Sequence, residues 1–388
     1  MNQKFDDIRP CVDAEIPAAM NRIADSERFP AMAKFVFPDR ELCHVKSMLR
    51  GFTNIHDFQT KVMHELNMQI IKRTADKFSY SGTDRLQPEK RYLFVSNHRD
   101  IVLDSSLLQT VLHLEGMRTT EITFGSNLMS AQLLVDIGRS NKMFKVMRGE
   151  NPRDFYKSSL YLSEYIRHAI TQKGESVWIA QRNGRTKDGK DATDQGLVKM
   201  LCMSDAKDLA KSIEALNIVP VAVSYQWEPC DALKTKELFL SRGGAKYEKQ
   251  PDEDIVSIIT GFTQWKGNIS ISFCKPLEKD EYIGFASETP NKFYKSVANL
   301  IDERIHSGYK LWNTNYIAHD LRSGTNQYEH HYAPDEKEEF LQKFRQAMRQ
   351  LSELGKSEAE KKELSDIFLG IYANSVCLHG GRADDADF

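Results

Sequence analysis

Apolar residues recur with a helical period in the first 85 residues of the chain. Phe58, Val62, Leu66 and Ile70 stand four residues apart, which places them on one face of a helix. The following segment, 76–90, is polar and holds a glycine and a proline, so it is predicted to be a connector. The pattern therefore predicts a helical N-terminal region at 1–85.

From Arg91 onward the pattern changes to short apolar runs that alternate with amphipathic stretches. Short apolar runs predict strands, and apolar positions three or four residues apart predict helices. The predicted strands are Tyr92–Val95, Glu121–Phe124, Met143–Met147, Ser176–Ala180, Ile218–Tyr225 and Asn268–Phe273. The predicted helices between them pass through Leu103–Val111, Ala131–Ile137, Phe155–Ile170 and Ala206–Leu216.

Two of these elements carry additional signals. Asn151 and Pro152 suit the N-cap and the first position of the helix that they open. Asn268–Phe273 alternates polar and apolar residues, which is typical of a half-buried antiparallel strand. Strands that alternate with helices predict an α/β fold, here a mixed sheet with helices on both faces.

The pattern also predicts how the chain is divided. The α/β domain is expected at 86–320. Residues 336–372 are charged and amphipathic, so we expect a helical C-terminal extension at 321–388.

Composition narrows the class of protein. The 388 residues carry a net charge of −2, which gives no reason to expect nucleic-acid binding. Six dispersed cysteines without a CxxC pair predict buried free thiols in a reducing compartment rather than a metal site. The start, MNQKFDDIRP, lacks the apolar stretch of a secretory signal. No apolar run reaches the length of about 20 residues that a membrane-spanning helix needs.

The segment Ser96–Asp104 is the most informative one. It follows a predicted strand and opens a predicted helix, where ligands bind in open α/β sheets. His98 is therefore suited to accept a proton from an attacking hydroxyl group, although alone it also fits a loop histidine. A carboxylate would orient its other ring nitrogen. Asp104 lies one turn deeper in the helix, and Asp100 is the alternative, which also fits a helix N-cap.

Two further strand ends carry basic residues. Arg148 follows the third predicted strand and is suited to bind a phosphate, or is an ordinary surface arginine. The fourth predicted strand runs into a loop with two glycines and four basic residues. Arg182, Gly184, Arg185 and Lys187 of this loop predict an anion site, or else a solvated basic loop.

The fifth predicted strand contains Pro220. Because proline lacks the backbone donor of a strand ladder, it is expected at a strand start or at an edge.

The four blocks in this order resemble the glycerolipid acyltransferase family, which includes glycerol-3-phosphate and lysophosphatidate acyltransferases. The resemblance covers roughly 91–225. Its motifs are weak singly and fairly specific together. His98, Arg148, Gly184 and Arg185 match the family's motifs, as does the proline of the fourth block.

Two positions depart from the family's motifs. Five residues separate His98 from Asp104, where the family has four, so the turn carries one additional residue or Asp100 takes the orienting role. The glutamate of the third block falls at Asn183, which keeps a hydrogen-bonding oxygen but loses the charge. These departures motivate an alternative, a catalytically degenerate lipid-binding relative with the same fold.

The resemblance implies an O-acyltransferase. It would move a fatty-acyl group from acyl-CoA or acyl carrier protein to a hydroxyl of glycerol-3-phosphate, lysophosphatidate or a related lipid precursor. His98 would be the general base, and Arg148, Arg182, Gly184, Arg185 and Lys187 would bind the acceptor. No cofactor, metal or nucleic acid is expected. The protein would be cytoplasmic and peripheral on the inner face of the membrane.

Overall fold

A computed structural model describes residues 3–126, 131–147, 151–244, 247–250 and 252–379 of the chain. Its centre is a seven-stranded sheet with the strand order β1-β7-β6-β2-β5-β3-β4. The strands are β1 (Ala75–Ser81), β2 (Leu93–Ser96), β3 (Glu121–Gly125), β4 (Met143–Val146), β5 (Val177–Ala180), β6 (Ile218–Tyr225) and β7 (Gly267–Phe273).

Helices precede, separate and follow the strands. They are α1 (Ile16–Asp25), α2 (Phe29–Val36), α3 (Leu42–Arg50), α4 (Ile55–Phe58), α5 (His64–Thr74), α6 (Leu103–Leu114), α7 (Gln132–Ser140), α8 (Pro152–His168), α9 (Gln195–Cys202), α10 (Leu209–Glu214), α11 (Asp231–Leu240), α12 (Glu253–Thr263), α13 (Lys279–Tyr282), α14 (Pro290–Gly308), α15 (Asn313–Ser323), α16 (Pro334–Gln350) and α17 (Glu358–His379). None of those helices, so far as their residues are described, is long and apolar enough to cross a membrane.

The sheet is mixed, as the sequence predicts. Strands β2 to β6 are parallel to one another, and β7 pairs antiparallel with β6 and parallel with β1. The carboxyl ends of five strands therefore meet at one edge of the sheet. That is where the loops after β2 and β5 begin.

Alternate residues of β2 enter two different cores. Leu93 and Val95 belong to the core on one face, which α8, α9, α10 and α14 cover. Phe94 belongs to the core on the other face, together with residues of α5 and α6. Strand side chains alternate between the two faces of a sheet, so helices on both faces follow from two apolar faces. The predicted fold class is confirmed.

The N-terminal residues form helices around a separate apolar cluster that includes Met20, Phe29 and Phe58. The buried Asp136 of α7 accepts hydrogen bonds from Arg22 at 2.6 and 2.8 Å, which ties this region to the α/β part.

The expected connector at 76–90 is partly a strand. Ala75–Ser81 pairs with β7 as the edge strand β1. An edge strand exposes much of its surface and therefore carries many polar residues. For this reason its sequence resembles a connector.

Two other predictions need correction. The strand β7 is mostly buried rather than half-buried, because the end of α14 at Gly308 lies against Ser272 on its polar face. Pro220 lies inside the central strand β6 rather than at a strand start. Its carbonyl accepts a hydrogen bond from Cys274 N–H at 2.9 Å, just beyond Val221–Phe273, where the pairing with β7 ends. The missing N–H faces the side of β7, where the pairing ends, so the pairing of β6 with β2 is kept.

The C-terminal helices pack against the α/β part. Trp227, Phe340 and Tyr372 form an aromatic cluster in which the rings of Trp227 and Phe340 are stacked with centroids 5.8 Å apart. The predicted helical extension is present as α16 and α17. The domain boundaries after residues 85 and 320 stay predictions. Contacts cross both of them, since β1 precedes residue 85 and joins the sheet, and α17 follows residue 320 and packs on α11 and α15.

Candidate active site

Asn97 fixes the point at which the chain leaves β2. Its side-chain Oδ1 accepts a hydrogen bond from Val223 N–H at 2.8 Å, and its Nδ2 donates to Val223 O at 2.9 Å. The side-chain amide thus makes the two hydrogen bonds to β6 that a backbone peptide group would make, and it extends the pairing by one residue. His98 follows directly, and its carbonyl accepts a hydrogen bond from Thr186 N–H at 2.7 Å. The first and third blocks of the sequence are therefore joined beside His98.

Asp104 is the carboxylate that reaches His98. Its Oδ2 lies 2.9 Å from His98 Nδ1 and also accepts hydrogen bonds from the backbone N–H groups of Arg99 (2.6 Å) and Asp100 (2.9 Å). The Tyr225 hydroxyl donates to its Oδ1 at 2.8 Å. Burial, together with the neighbouring Asp104 carboxylate, raises the pKa of the Tyr225 hydroxyl well above its ordinary value. Tyr225 therefore stays a hydrogen-bond donor and holds Asp104 in place.

Asp100 instead caps helix α6. Its Oδ1 accepts hydrogen bonds from the N–H groups of Val102 and Leu103, both at 2.9 Å. Its Oδ2 is buried and makes no hydrogen bond to any residue that the structure describes. The additional residue between His98 and Asp104 is accommodated in this turn, so the longer spacing does not separate the two side chains.

The ring of His98 is partly exposed. The side chain is 13% exposed, and its ring lies edge-on to that of Trp178, with centroids 5.7 Å apart. An ionised carboxylate only accepts hydrogen bonds, so the proton between His98 and Asp104 belongs to Nδ1. No hydrogen bond to Nε2 occurs within the described part of the chain. Nε2 is thus the lone-pair nitrogen that can take up a proton.

The basic loop after β5 brings one arginine to the site. Arg185 is 8% exposed, and its Nη2 donates to Ser257 Oγ of α12 at 3.3 Å. Its Nη1 is buried without a hydrogen-bond partner among the described residues. Gly184, just before it, has φ +75°, a left-handed conformation that favours glycine.

The other members of the loop differ in their surroundings. Lys187 forms an ion pair with Glu237 of α11. Arg182 is partly exposed, and Asn183 is exposed. Arg148 lies outside the described residues, two positions after the end of β4 at Val146. Its predicted role as a phosphate ligand stays a prediction.

Helix α12 lies against the site from the outside. Its Ser257 bonds Arg185, and a Cβ atom on its Gly261 would lie 2.2 Å from Asp100 Oδ2, so only glycine fits there. Cys230 is next to the same helix and donates its thiol hydrogen to Ser257 O at 3.3 Å. Burial raises the pKa of the Cys230 thiol to about 11, so this cysteine is not a thiolate nucleophile at neutral pH.

Sequence reasoning missed several residues that hold this site. Asn97 and Arg99 stand beside His98 in the sequence. Their only signal was an arginine in a predicted turn between two apolar elements. Tyr225 and Ser257 had no signal, because they come from the far end of β6 and from a helix that was not predicted. Within the described ranges, no group of three or more His, Cys, Asp or Glu side chains could hold a metal ion.

Comparison with known proteins shows what the central part of the chain is similar to. Residues 77–224 match the family described as Acyltransferase. This match agrees with the resemblance that the four sequence blocks carry.

A curated relative, the glycerol-3-phosphate acyltransferase of Pseudomonas syringae pv. tomato, is 26% identical over 205 residues. The match covers 52% of this chain and 23% of that protein, so this chain spans less than a quarter of the relative's length. The solved 1-acyl-sn-glycerophosphate (LPA) acyltransferase of Thermotoga maritima is 14% identical, with a TM-score of 0.40, over 74% of this chain and 95% of that chain.

Proposed function

We propose that this chain transfers a fatty-acyl group from a thioester, acyl-CoA or acyl carrier protein, to a hydroxyl group of glycerol-3-phosphate, lysophosphatidate or a related lipid precursor. One observation carries the proposal. His98 Nδ1 lies 2.9 Å from the buried Asp104, at the carboxyl end of β2, and the His98 side chain keeps 13% of its surface exposed. A histidine oriented in this way is suited to general-base chemistry on a hydroxyl group.

The reaction would proceed without a covalent acyl-enzyme. The acceptor oxygen attacks the thioester carbonyl carbon while its proton moves to His98 Nε2. Asp104 stabilises the imidazolium that forms. The tetrahedral intermediate then collapses, the carbon–sulfur bond breaks, and the thiolate takes the proton from Nε2. No cofactor enters this sequence, since the thiolate is a good leaving group.

Arg185 would bind the phosphate of the acceptor. Its buried Nη1 makes no hydrogen bond to any described residue, and a guanidinium group can donate two parallel bonds to a phosphate. Arg148, which follows β4 in the sequence, would share this role, with Arg182 and Lys187 adding positive charge. Asn183 stands where the family has a glutamate, but the loop is still held in place. Thr186 N–H donates a hydrogen bond to the His98 carbonyl, and Arg185 donates one to Ser257.

The acceptor and the acyl chain would be reached from a membrane surface. Large apolar side chains are exposed on α12 and just after it, and at the start of α8, which follows the carboxyl end of β4. They are Phe155, Tyr156, Val256, Ile259 and Trp265. These residues lie on the side of the sheet that carries His98, which supports peripheral binding at the inner face of the membrane.

Vesicle sedimentation tests the membrane part. Ile259→Asn should weaken binding to anionic vesicles, whereas Leu114→Asn, which is exposed at the opposite end of α6, should not. High salt should release part of the protein, because the Debye length is about 10 Å at 0.1 M ionic strength. Equal binding by both variants would contradict this surface.

Transfer of a radiolabelled acyl chain tests the reaction itself. Wild-type protein should acylate at least one member of a panel with glycerol-3-phosphate, lysophosphatidate and a phosphate-free lyso-lipid. His98→Ala should lower kcat by about 10²–10⁴-fold. His56→Ala, an exposed histidine remote from the site, is the matched control.

The outcomes separate the alternatives. A His98→Ala variant as active as wild type would remove the proposed mechanism. A wild-type protein that binds lipid but transfers no acyl chain would establish the degenerate relative instead.

A further inference from the structure

Arg99, the residue after His98, is almost completely buried at 1% exposure. Its Nη2 donates to Asp191 Oδ2 at 2.7 Å and to Ser375 Oγ at 3.1 Å, and its Nη1 donates to Glu228 Oε2 at 3.2 Å. Burial alone would raise the pKa of Asp191, but the Arg99 guanidinium outweighs burial and holds that pKa below its ordinary value. The pair is therefore ionised inside the protein.

The main chain of Arg99 is fixed on both sides. Its N–H donates to Asp104 Oδ2 at 2.6 Å, and its carbonyl accepts a hydrogen bond from Lys234 Nζ at 2.7 Å. Lys234 is itself buried and forms an ion pair with Glu228. Two buried cations, Arg99 and Lys234, and two buried carboxylates, Asp191 and Glu228, thus form one cluster, which Lys234 joins to the peptide group after Arg99.

The C-terminal helix α17 closes this cluster. Besides Ser375, its Asn374 donates through Nδ2 to Asp188 O at 2.6 Å, in the basic loop after β5. A Cβ atom on Gly189 would lie 2.2 Å from Ile371 O, so the loop and the helix backbone are in direct contact. One helix, more than 270 residues further along the chain, therefore touches both the turn with His98 and the loop with Arg185.

We infer that Arg99 and Ser375 are positioning residues for the proposed acyl transfer, and that α17 is a part of the catalytic unit rather than an appended extension. Helix α17 holds Arg99, and Arg99 holds the peptide groups that set the distance between His98 and Asp104. This inference rests on the proposed function. It goes beyond it by assigning a role to a part of the chain outside the family segment at 77–224.

Stability alone does not account for this arrangement. Replacing a buried ion pair by well-packed apolar residues is often neutral or stabilising, so four buried charges are a poor way to gain stability. They do, however, fix the geometry of the groups that they contact, and here those groups belong to the turn beside His98. A displacement of about 1 Å of a catalytic group can cost about 10²-fold in rate.

Ser375→Ala is the first test, with Ser365→Ala as its matched control on the same helix. Ser365 hydrogen-bonds Lys361 O and the Met348 sulfur, away from the site. Ser375→Ala should lower kcat by about fivefold and leave the acceptor's KM within about twofold, because a small displacement of His98 affects the reaction step rather than binding. Ser365→Ala should change neither value. Thermal unfolding of both variants shows whether they fold equally well.

Arg99→Lys is the second test, since lysine keeps the charge but not the fork of donors. Its kcat should fall by about 10–100-fold at an unchanged acceptor KM. Ser375→Ala strands no charge, so it keeps the inference testable if Arg99→Lys does not fold.

A double-mutant cycle separates positioning from general loosening. In the Asp104→Asn background the Ser375→Ala change should lose its effect on kcat, because the geometry on which it acts is already lost. A full, independent effect in that background would overturn the inference, as would a Ser375→Ala rate equal to that of Ser365→Ala. Wild-type protein is assayed first. Its inactivity would overturn the proposed function, and this inference with it.

Discussion

The turn that carries His98 and the loop that carries Arg185 lie side by side but differ in how far the protein satisfies them. In the turn, both oxygens of Asp104 and Nδ1 of His98 are hydrogen-bonded within the chain, although Asp100 Oδ2 has no partner among the described residues. In the loop, Nη1 of Arg185 and both amide atoms of Gln181 are buried without a hydrogen-bond partner among the described residues.

The difference indicates that the turn and the loop have different roles. A buried polar group without a partner costs about 1–3 kcal/mol, so the chain does not leave one without a reason. A ligand phosphate would supply the partner that Arg185 lacks. We infer that the base is oriented by the fold before any substrate binds, whereas the anion site is completed by the substrate.

Asp104→Asn should have the largest effect on this comparison. An asparagine can donate to His98 and favour the wrong tautomer, so kcat should fall by about 10³–10⁴-fold while the protein stays folded. Acyl-transfer kinetics and thermal unfolding measure the two quantities.

Asp100→Asn is the matched control for that change. Asparagine caps a helix about as well as aspartate, so kcat should change by less than about threefold. If the two substitutions exchanged their effects, Asp100 would be the orienting carboxylate and the observed His98–Asp104 contact would not be the functional one.

The second prediction concerns a buried cation near the turn, Lys266. Burial lowers its pKa from 10.5 to about 8, although Asp100 acts in the opposite sense. Between these two values the unfolded chain binds more protons than the folded protein, so the contribution of Lys266 to stability rises with pH.

Chemical unfolding between pH 7 and 10.5 measures this contribution. Relative to Lys266→Met, the unfolding free energy of wild type should rise by about 3 kcal/mol across that window. The comparison with Lys266→Met removes the titration of the other groups. If the difference in unfolding free energy between wild type and Lys266→Met stayed constant with pH, solvent would reach both Lys266 and Asp100.

The contrast between turn and loop also shows how far the sequence predicts the site. Six strands and the nearness of His98 to a carboxylate follow from local periodicity and from a short spacing. The edge strand β1 was missed because its residues are mostly polar. Tyr225, Ser257 and Ser375 could not be found, since their contacts with the site join parts of the chain that are far apart in sequence.

Arg185→Ala is the third prediction, and it concerns the loop. The acceptor's KM should rise about 30-fold, which corresponds to about 2 kcal/mol for a hydrogen bond to a charged group, while the donor's KM stays nearly constant. Arg185→Lys should rescue poorly, because lysine cannot form the planar fork. The same is expected of Arg148. A change confined to the donor's KM would assign these residues to the phosphates of the coenzyme.

The smallest expected effect distinguishes two cations of the loop. Lys187 is paired with Glu237, so most of its charge is already compensated, and such partly exposed pairs contribute about 0–1 kcal/mol. Arg182 is partly exposed and has no hydrogen bond or ion pair in the described part of the chain. Arg182→Gln should therefore raise the acceptor's KM about threefold at low salt, and screening should reduce the effect at 0.5 M salt, where the Debye length is about 4 Å. Lys187→Gln should leave KM within about twofold at either salt concentration. The reverse order would show that Lys187 leaves Glu237 when substrate binds, and the loop would then rearrange around the substrate.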